Sequence, residues 1–182
     1  MGQPVAAPLA QAGMIVQDRP DGTNEESMAG LVEKKLESLG ITLPTPASPI
    51  ANYVAFTRSG NLLIVSGQLC FGSDGQLVAK GQLGGGVTVE NGQKAARASA
   101  VNLLAQTKAA LGDLDQVKRV LRLGGFINSA LGFTDGPKVM NGASDLMVEV
   151  FGDKGRHART TVGVAALPAE AAIEVEGLFE LA

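Results

Sequence analysis

The chain has no tryptophan and only one tyrosine, one cysteine and one histidine. Each shortage removes a class of chemistry. A lone cysteine, Cys70, cannot close an internal disulfide and suits a reducing compartment, so a cytoplasmic protein is expected. One histidine and one cysteine cannot assemble a His/Cys metal set, nor a Cys-His nucleophile pair completed by a third group. Aromatics are 4% of the residues and no Lys/Arg cluster is interleaved with them, so there is no stacking platform for nucleic acid. A formal net charge of −3 and a pI near 5.2 give no field that attracts polyanions. No apolar run approaches the ~18 residues a membrane span needs, and no basic segment followed by an apolar core opens the chain. Neither nucleic acid nor membrane is an expected partner, and no metal or cofactor is expected.

What the chain does have is apolar bulk, 45% hydrophobic against 18% charged over 182 residues, enough for one domain with a full core. Residues 1–27 carry prolines, glycines and polar breakers around Asp18-Arg19-Pro20-Asp21-Gly22 and read as a disordered tail or an expression remnant. Met28 is an alternative start, and the domain is expected over residues 28–182. Leu31, Val32, Leu36 and Leu39 share a helical face, with Glu33, Lys34, Lys35 and Glu37 elsewhere and Gly40 as the stop. Pro44, Pro46 and Pro49 make an extended linker. Tyr53 to Thr57 and Leu62 to Val65 read as a hairpin joined through Arg58-Ser59-Gly60-Asn61, with a short strand at Leu77 to Ala79. Gly84-Gly85-Gly86 lacks both the Lys-Ser/Thr of a phosphate loop and the spacing of a dinucleotide fingerprint, so it reads as a plain loop.

Thr88 caps a helix to about Leu111, with Ala96, Ala100, Leu103, Leu104 and Leu111 as its stripe and Gly112 as its stop. Val117 to Ile127 is a strand. Thr134 or Asp135 then caps a second long helix with Pro137 in its first turn, a stripe of Val139, Ala143, Leu146, Met147 and Val150, and a stop at Gly152. Strands and helices in this order predict an α+β domain, a mixed sheet with both main helices on one face.

The last two strands carry the charges of interest. Alternation puts Val162 and Val164 on one face of the first strand and Arg159, Thr161 and Gly163 on the other, before Pro168 ends it. In the second, Ile173, Val175 and Phe179 oppose Glu174, Glu176 and Glu180. Taken alone, Arg159 reads as an edge cation in water, His157 as a solvated loop histidine, Cys70 as a small residue near a strand end, and the three glutamates as a solvated face or a carboxylate metal set.

The run Ala158-Arg159-Thr160-Thr161-Val162-Gly163-Val164-Ala165-Ala166-Leu167-Pro168, followed by Ile173-Glu174-Val175-Glu176, resembles the C-terminal signature of the Rid family, also called YjgF/YER057c/UK114. Asn52-Tyr53-Val54 and Asn61-Leu62-Leu63-Ile64-Val65-Ser66-Gly67-Gln68 resemble its first hairpin, and the similarity runs from about Leu31 to the C-terminus. The resemblance implies a chorismate-mutase-like α+β fold and a homotrimer with sites between subunits. It also implies 2-iminoacid deaminase chemistry: Arg159 as carboxylate binder, Glu174 as water activator, and Tyr53, Ser66, Asn141 and Thr161 around the pocket. Thr161 stands where archetypal deaminases carry cysteine, and Arg156-His157 replaces their aromatic-proline lead.

The residues alone reach a compatible chemistry. A guanidinium holds a carboxylate by two parallel hydrogen bonds, and a glutamate takes a proton from water. Together those suffice to hydrolyse an imine beside a carboxylate. The alternatives are a non-catalytic protein that binds or senses a small carboxylate, and, less in keeping with the acidic balance, an endoribonuclease or translation inhibitor. Arg159 and Glu174 meet within one chain only if the turn falls near Leu167-Pro168; a later turn favours a site shared between subunits.

Overall fold

Along Ile173–Leu181 every odd position is buried and every even one half-exposed, as in a strand with one covered face. In the computed structural model, which describes residues 30–46 and 52–182, this strand is the middle of the sheet. The chain runs α1 (Leu31–Ser38), β1 (Phe56–Ser59), β2 (Leu62–Leu69), α2 (Val89–Leu111), β3 (Val117–Asn128), α3 (Gly136–Phe151), β4 (Ala158–Val164) and β5 (Ile173–Leu181). Five strands form one mixed sheet in the order β1-β2-β5-β3-β4. Only β3 and β4 pair in parallel, and α3 makes the crossover that such a pair requires.

The two long helices cover one face of the sheet. Ala96, Ala100, Leu103 and Leu104 of α2 are fully buried, and so are Val139, Ala143, Leu146 and Met147 of α3. Small residues on α2 let it lie close, so a methyl on Gly177 of β5 would sit 2.9 Å from Leu103. Phe179 is enclosed between these layers, a burial that contributes about 2–3 kcal/mol. Thr88 caps α2 by accepting from the Asn91 amide at 3.2 Å, which stabilises the helix by about 1 kcal/mol. Gly112, at φ 79°, ends it.

Three local expectations change. The first strand begins at Phe56 instead of Tyr53, because Ser66 takes the preceding segment by side chain and backbone, its Oγ donating to the Val54 carbonyl and its N–H to the Ala55 carbonyl. Leu77 to Ala79 forms no strand; single bridges join Phe71 to Leu77 and Lys80 to Ala171 around the Gly72–Gly75 turn. On α1, Leu31 is exposed and Glu33 is buried beside Leu36. The reason is tertiary: Asp115 accepts the Leu31 and Val32 amides, docking the helix by its first turn. Met28, the tail 1–27 and part of the proline linker lie outside the described residues. No helix among the described residues is long and apolar enough to cross a membrane.

Candidate functional site

On β4, Arg159 points toward α3. Its Nη1 donates to Asn141 Oδ1 and to Ser144 Oγ, each at 3.0 Å, and its Nη2 to the Pro137 carbonyl at 3.2 Å. All three acceptors are neutral, and no carboxylate pairs with Arg159 among the described residues. Three of the five guanidinium N–H groups are thus engaged, leaving the Nε–H and one Nη2–H. Asn141 and Ser144 lie three apart on α3 and so share a face.

Ser144 extends the brace. Its Oγ is 3.1 Å from His157 Nε2, and His157 Nδ1 lies 2.6 Å from the Gly155 carbonyl. The consistent assignment has Nδ1–H donating to Gly155, the Ser144 hydroxyl donating to Nε2, and Arg159 donating to Ser144. Burial holds the His157 pKa below the ordinary histidine value against the opposing Gly155 bond, with the Arg159 charge adding to the lowering. His157 is therefore a half-buried, neutral member of this cluster, and the expectation of a solvated loop histidine is corrected. Thr161, two residues along the same face, has a buried hydroxyl with no hydrogen-bond partner among the described residues.

Glu174 belongs to a second cluster. Four residues of β2, Val65 to Gln68, lie opposite three of β5, Gly177 to Val175, so a bulge falls at Ser66-Gly67. A methyl on Gly67 would overlap the Glu174 carboxylate, and the glycine is what admits that side chain. Glu174 lines a cavity of about 600 Å³ together with Tyr53, Gln68, Phe71, Asn102 and Pro168. Burial first, and the Glu176 carboxylate second, push its pKa above the ordinary carboxylate value. Glu180 behaves oppositely: hydrogen bonds from Lys118 at 2.9 Å and Arg119 at 2.8 Å hold its pKa below that value. The three glutamates are therefore not equivalent, and Glu174 is half-buried where a solvated face was expected.

The two clusters do not meet within one chain. Arg159 pairs with Leu123 and through it with Gly177, whereas Glu174 pairs with Phe126 and through it with Val162, so β3 lies between them. Leu123 and Gly177 face the helices; Glu174 alternates with Ile173 and Val175 and faces the other side. Thr161 and Asn141 join Arg159, while Tyr53 joins Glu174. Ser66 holds the Tyr53 segment in place through Val54 without lining the cavity. Sequence reasoning missed Ser144 and His157. The signal for Ser144 was its three-residue spacing from Asn141; for His157 there was none, because its partner comes from another element.

A family model described as "YjgF/chorismate_mutase-like, putative endoribonuclease" matches residues 33–181. Protein TCP17 of Trypanosoma cruzi is 53% identical over 154 residues, covering 84% of this chain and 96% of that protein. The crystal structure of Atu1372, a protein of unknown function from Agrobacterium tumefaciens, is 47% identical with a TM-score of 0.79, covering 86% of this chain and 96% of that one. A "putative endoribonuclease" from Shewanella oneidensis MR-1 is 36% identical with a TM-score of 0.80, over 82% of this chain and 99% of that one. The extent of these matches and the shared α+β sheet lead to one conclusion: the chain belongs to the YjgF/chorismate-mutase-like family, the Rid family of its C-terminal signature.

Proposed function

We propose that this protein hydrolyses the C=N bond of small 2-imino acids, releasing ammonia and a 2-keto acid, as a homotrimer with sites between subunits. The observation that carries the reading is Arg159, whose guanidinium is braced by three neutral acceptors and keeps two donors for a ligand. Two donors in a planar fork match the two oxygens of a substrate carboxylate, and fixing that group orients the adjacent imine carbon. Glu174 supplies the other half. Its raised pKa makes it a stronger base than an ordinary carboxylate, and its position in the cavity beside Tyr53 suits it to a water molecule.

The step balances without a cofactor. Water adds to the imine carbon as Glu174 takes its proton, and the nitrogen gains protons until the C–N bond breaks; ammonia leaves as the carbonyl forms. Because Arg159 and Glu174 face opposite sides of one sheet, the reading requires two copies of the chain, one giving the anchor and the next the base. The helix-free face of the sheet supports association: Ile64 and Val162 on it are 47% and 43% exposed, apolar area that a neighbouring copy covers. The test is purified protein with freshly generated 2-imino acids, ammonia or keto acid being followed against the spontaneous rate. Acceleration supports the hydrolase; a bound 2-keto acid with no acceleration replaces it with a carboxylate-binding protein.

A further inference from the structure

The start of α1 holds a second acidic cluster, none of whose carboxylates lines the Glu174 cavity. Glu33 is 8% exposed. Its Oε1 accepts from the Leu114 amide at 3.1 Å and lies 3.3 Å from Lys108 Nζ. Its Oε2 is fully shielded and has no hydrogen-bond partner among the described residues. A glutamate at this place in a first turn commonly bonds the amide of the capping residue; this oxygen does not, and points instead toward Asp113 and Asp115. One oxygen from each of the three carboxylates lies within 4.8 Å of the others. A methyl built on Gly30 would sit 2.6 Å from Glu33 Oε2, 2.6 Å from Asp113 Oδ1 and 2.9 Å from Asp115 Oδ2. The same three oxygens crowd the Cα of Gly30, so the carboxylates draw this close together only because residue 30 has no side chain.

Such an arrangement is unfavourable by itself, since a buried carboxylate oxygen without a partner loses its hydration and gains nothing in return. Lys108 offsets one negative charge of three, leaving two. The donors are all oxygen, which selects hard cations over zinc or copper. A separation of up to 4.8 Å between oxygens is twice a calcium–oxygen distance of about 2.4 Å, and calcium tolerates an irregular sphere completed by water. Asp115 is exposed, so water has access.

We propose that Glu33, Asp113 and Asp115 form a calcium site that clamps the first turn of α1 onto the turn between α2 and β3. Asp115 already grips α1 through the Leu31 amide at 2.7 Å and the Val32 amide at 3.0 Å, so the ion reinforces an existing dock. The site is independent of the imine reading.

The experiment uses the full chain stripped with EDTA, titrated with calcium and, separately, magnesium by calorimetry, with thermal unfolding followed in parallel. One calcium per chain, tighter than magnesium, and a higher Tm with calcium than with EDTA are expected. Gly30→Ala places a methyl 2.6–2.9 Å from three carboxylate oxygens that must shift to admit it, so its melting in EDTA is compared with the parent before binding is read. It should weaken calcium binding by about tenfold or more while unfolding cooperatively, and Glu33→Gln should abolish binding. Absence of any calcium response in the stripped parent overturns the proposal, as does unchanged affinity in Gly30→Ala.

Discussion

Arg159 lies on the edge strand β4 and Glu174 on the interior strand β5, and the two positions are tuned by opposite means. For Arg159 the protein acts on geometry, fixing the guanidinium with an amide oxygen, a hydroxyl and a backbone carbonyl. Glu174 has no such brace among the described residues, and the protein acts on its proton affinity through burial and Glu176. In the reaction proposed above, the anchor needs orientation, whereas the base needs a proton affinity closer to the working pH. The sheet supplies each at a different address, with β3 between.

The largest effect tests the base. Glu174→Gln should lower kcat by about 10²- to 10⁴-fold while 2-keto acid binding, measured by calorimetry, stays near the parent value. If binding falls equally, Glu174 is part of the anchor and the division of labour is wrong. Arg159→Ala should instead lose binding, with kcat/KM down by roughly thirty-fold to several thousand-fold, the equivalent of about 2–5 kcal/mol. Arg159→Lys keeps the charge without the fork and should fall between parent and alanine. Undiminished keto-acid affinity in folded Arg159→Ala would return the residue to an exposed strand cation.

Mixing sharpens the comparison further. Each variant alone should keep only the residual rate given above, but co-refolded Arg159→Ala and Glu174→Gln chains should recover roughly a quarter of parental activity if each site draws one residue from each of two subunits. No recovery, with mixed oligomers verified by mass spectrometry, would place both residues in one chain's site. The smallest effect is on stability. Because the folded-state pKa of Glu174 is raised, its contribution is fully present below the unfolded pKa and lost as pH rises through the folded one. Glu174→Gln should therefore melt slightly above the parent at neutral pH, the gain vanishing below the ordinary carboxylate pKa. The same shift should move the acidic limb of the activity profile to higher pH than an unperturbed glutamate would give.

By itself, the sequence determined the element order, the helix stops at Gly112 and Gly152, the buried stripes of α2 and α3 and which residues of each terminal strand share a face. These follow from periods of 3.6 and 2 and from local capping, all of which act over a few residues. The signature around Arg159 and Glu174 likewise identified the family. Only the tertiary structure decided that β4 and β5 are separated by β3, because strand order depends on which edges the crossover through α3 brings together. It also decided that His157 and Ser144 brace Arg159, that the Ser66-Gly67 bulge makes room for Glu174, and that Glu33 turns inward. Each of these joins residues from different elements, and packing between elements is a property of the whole core that no local pattern encodes.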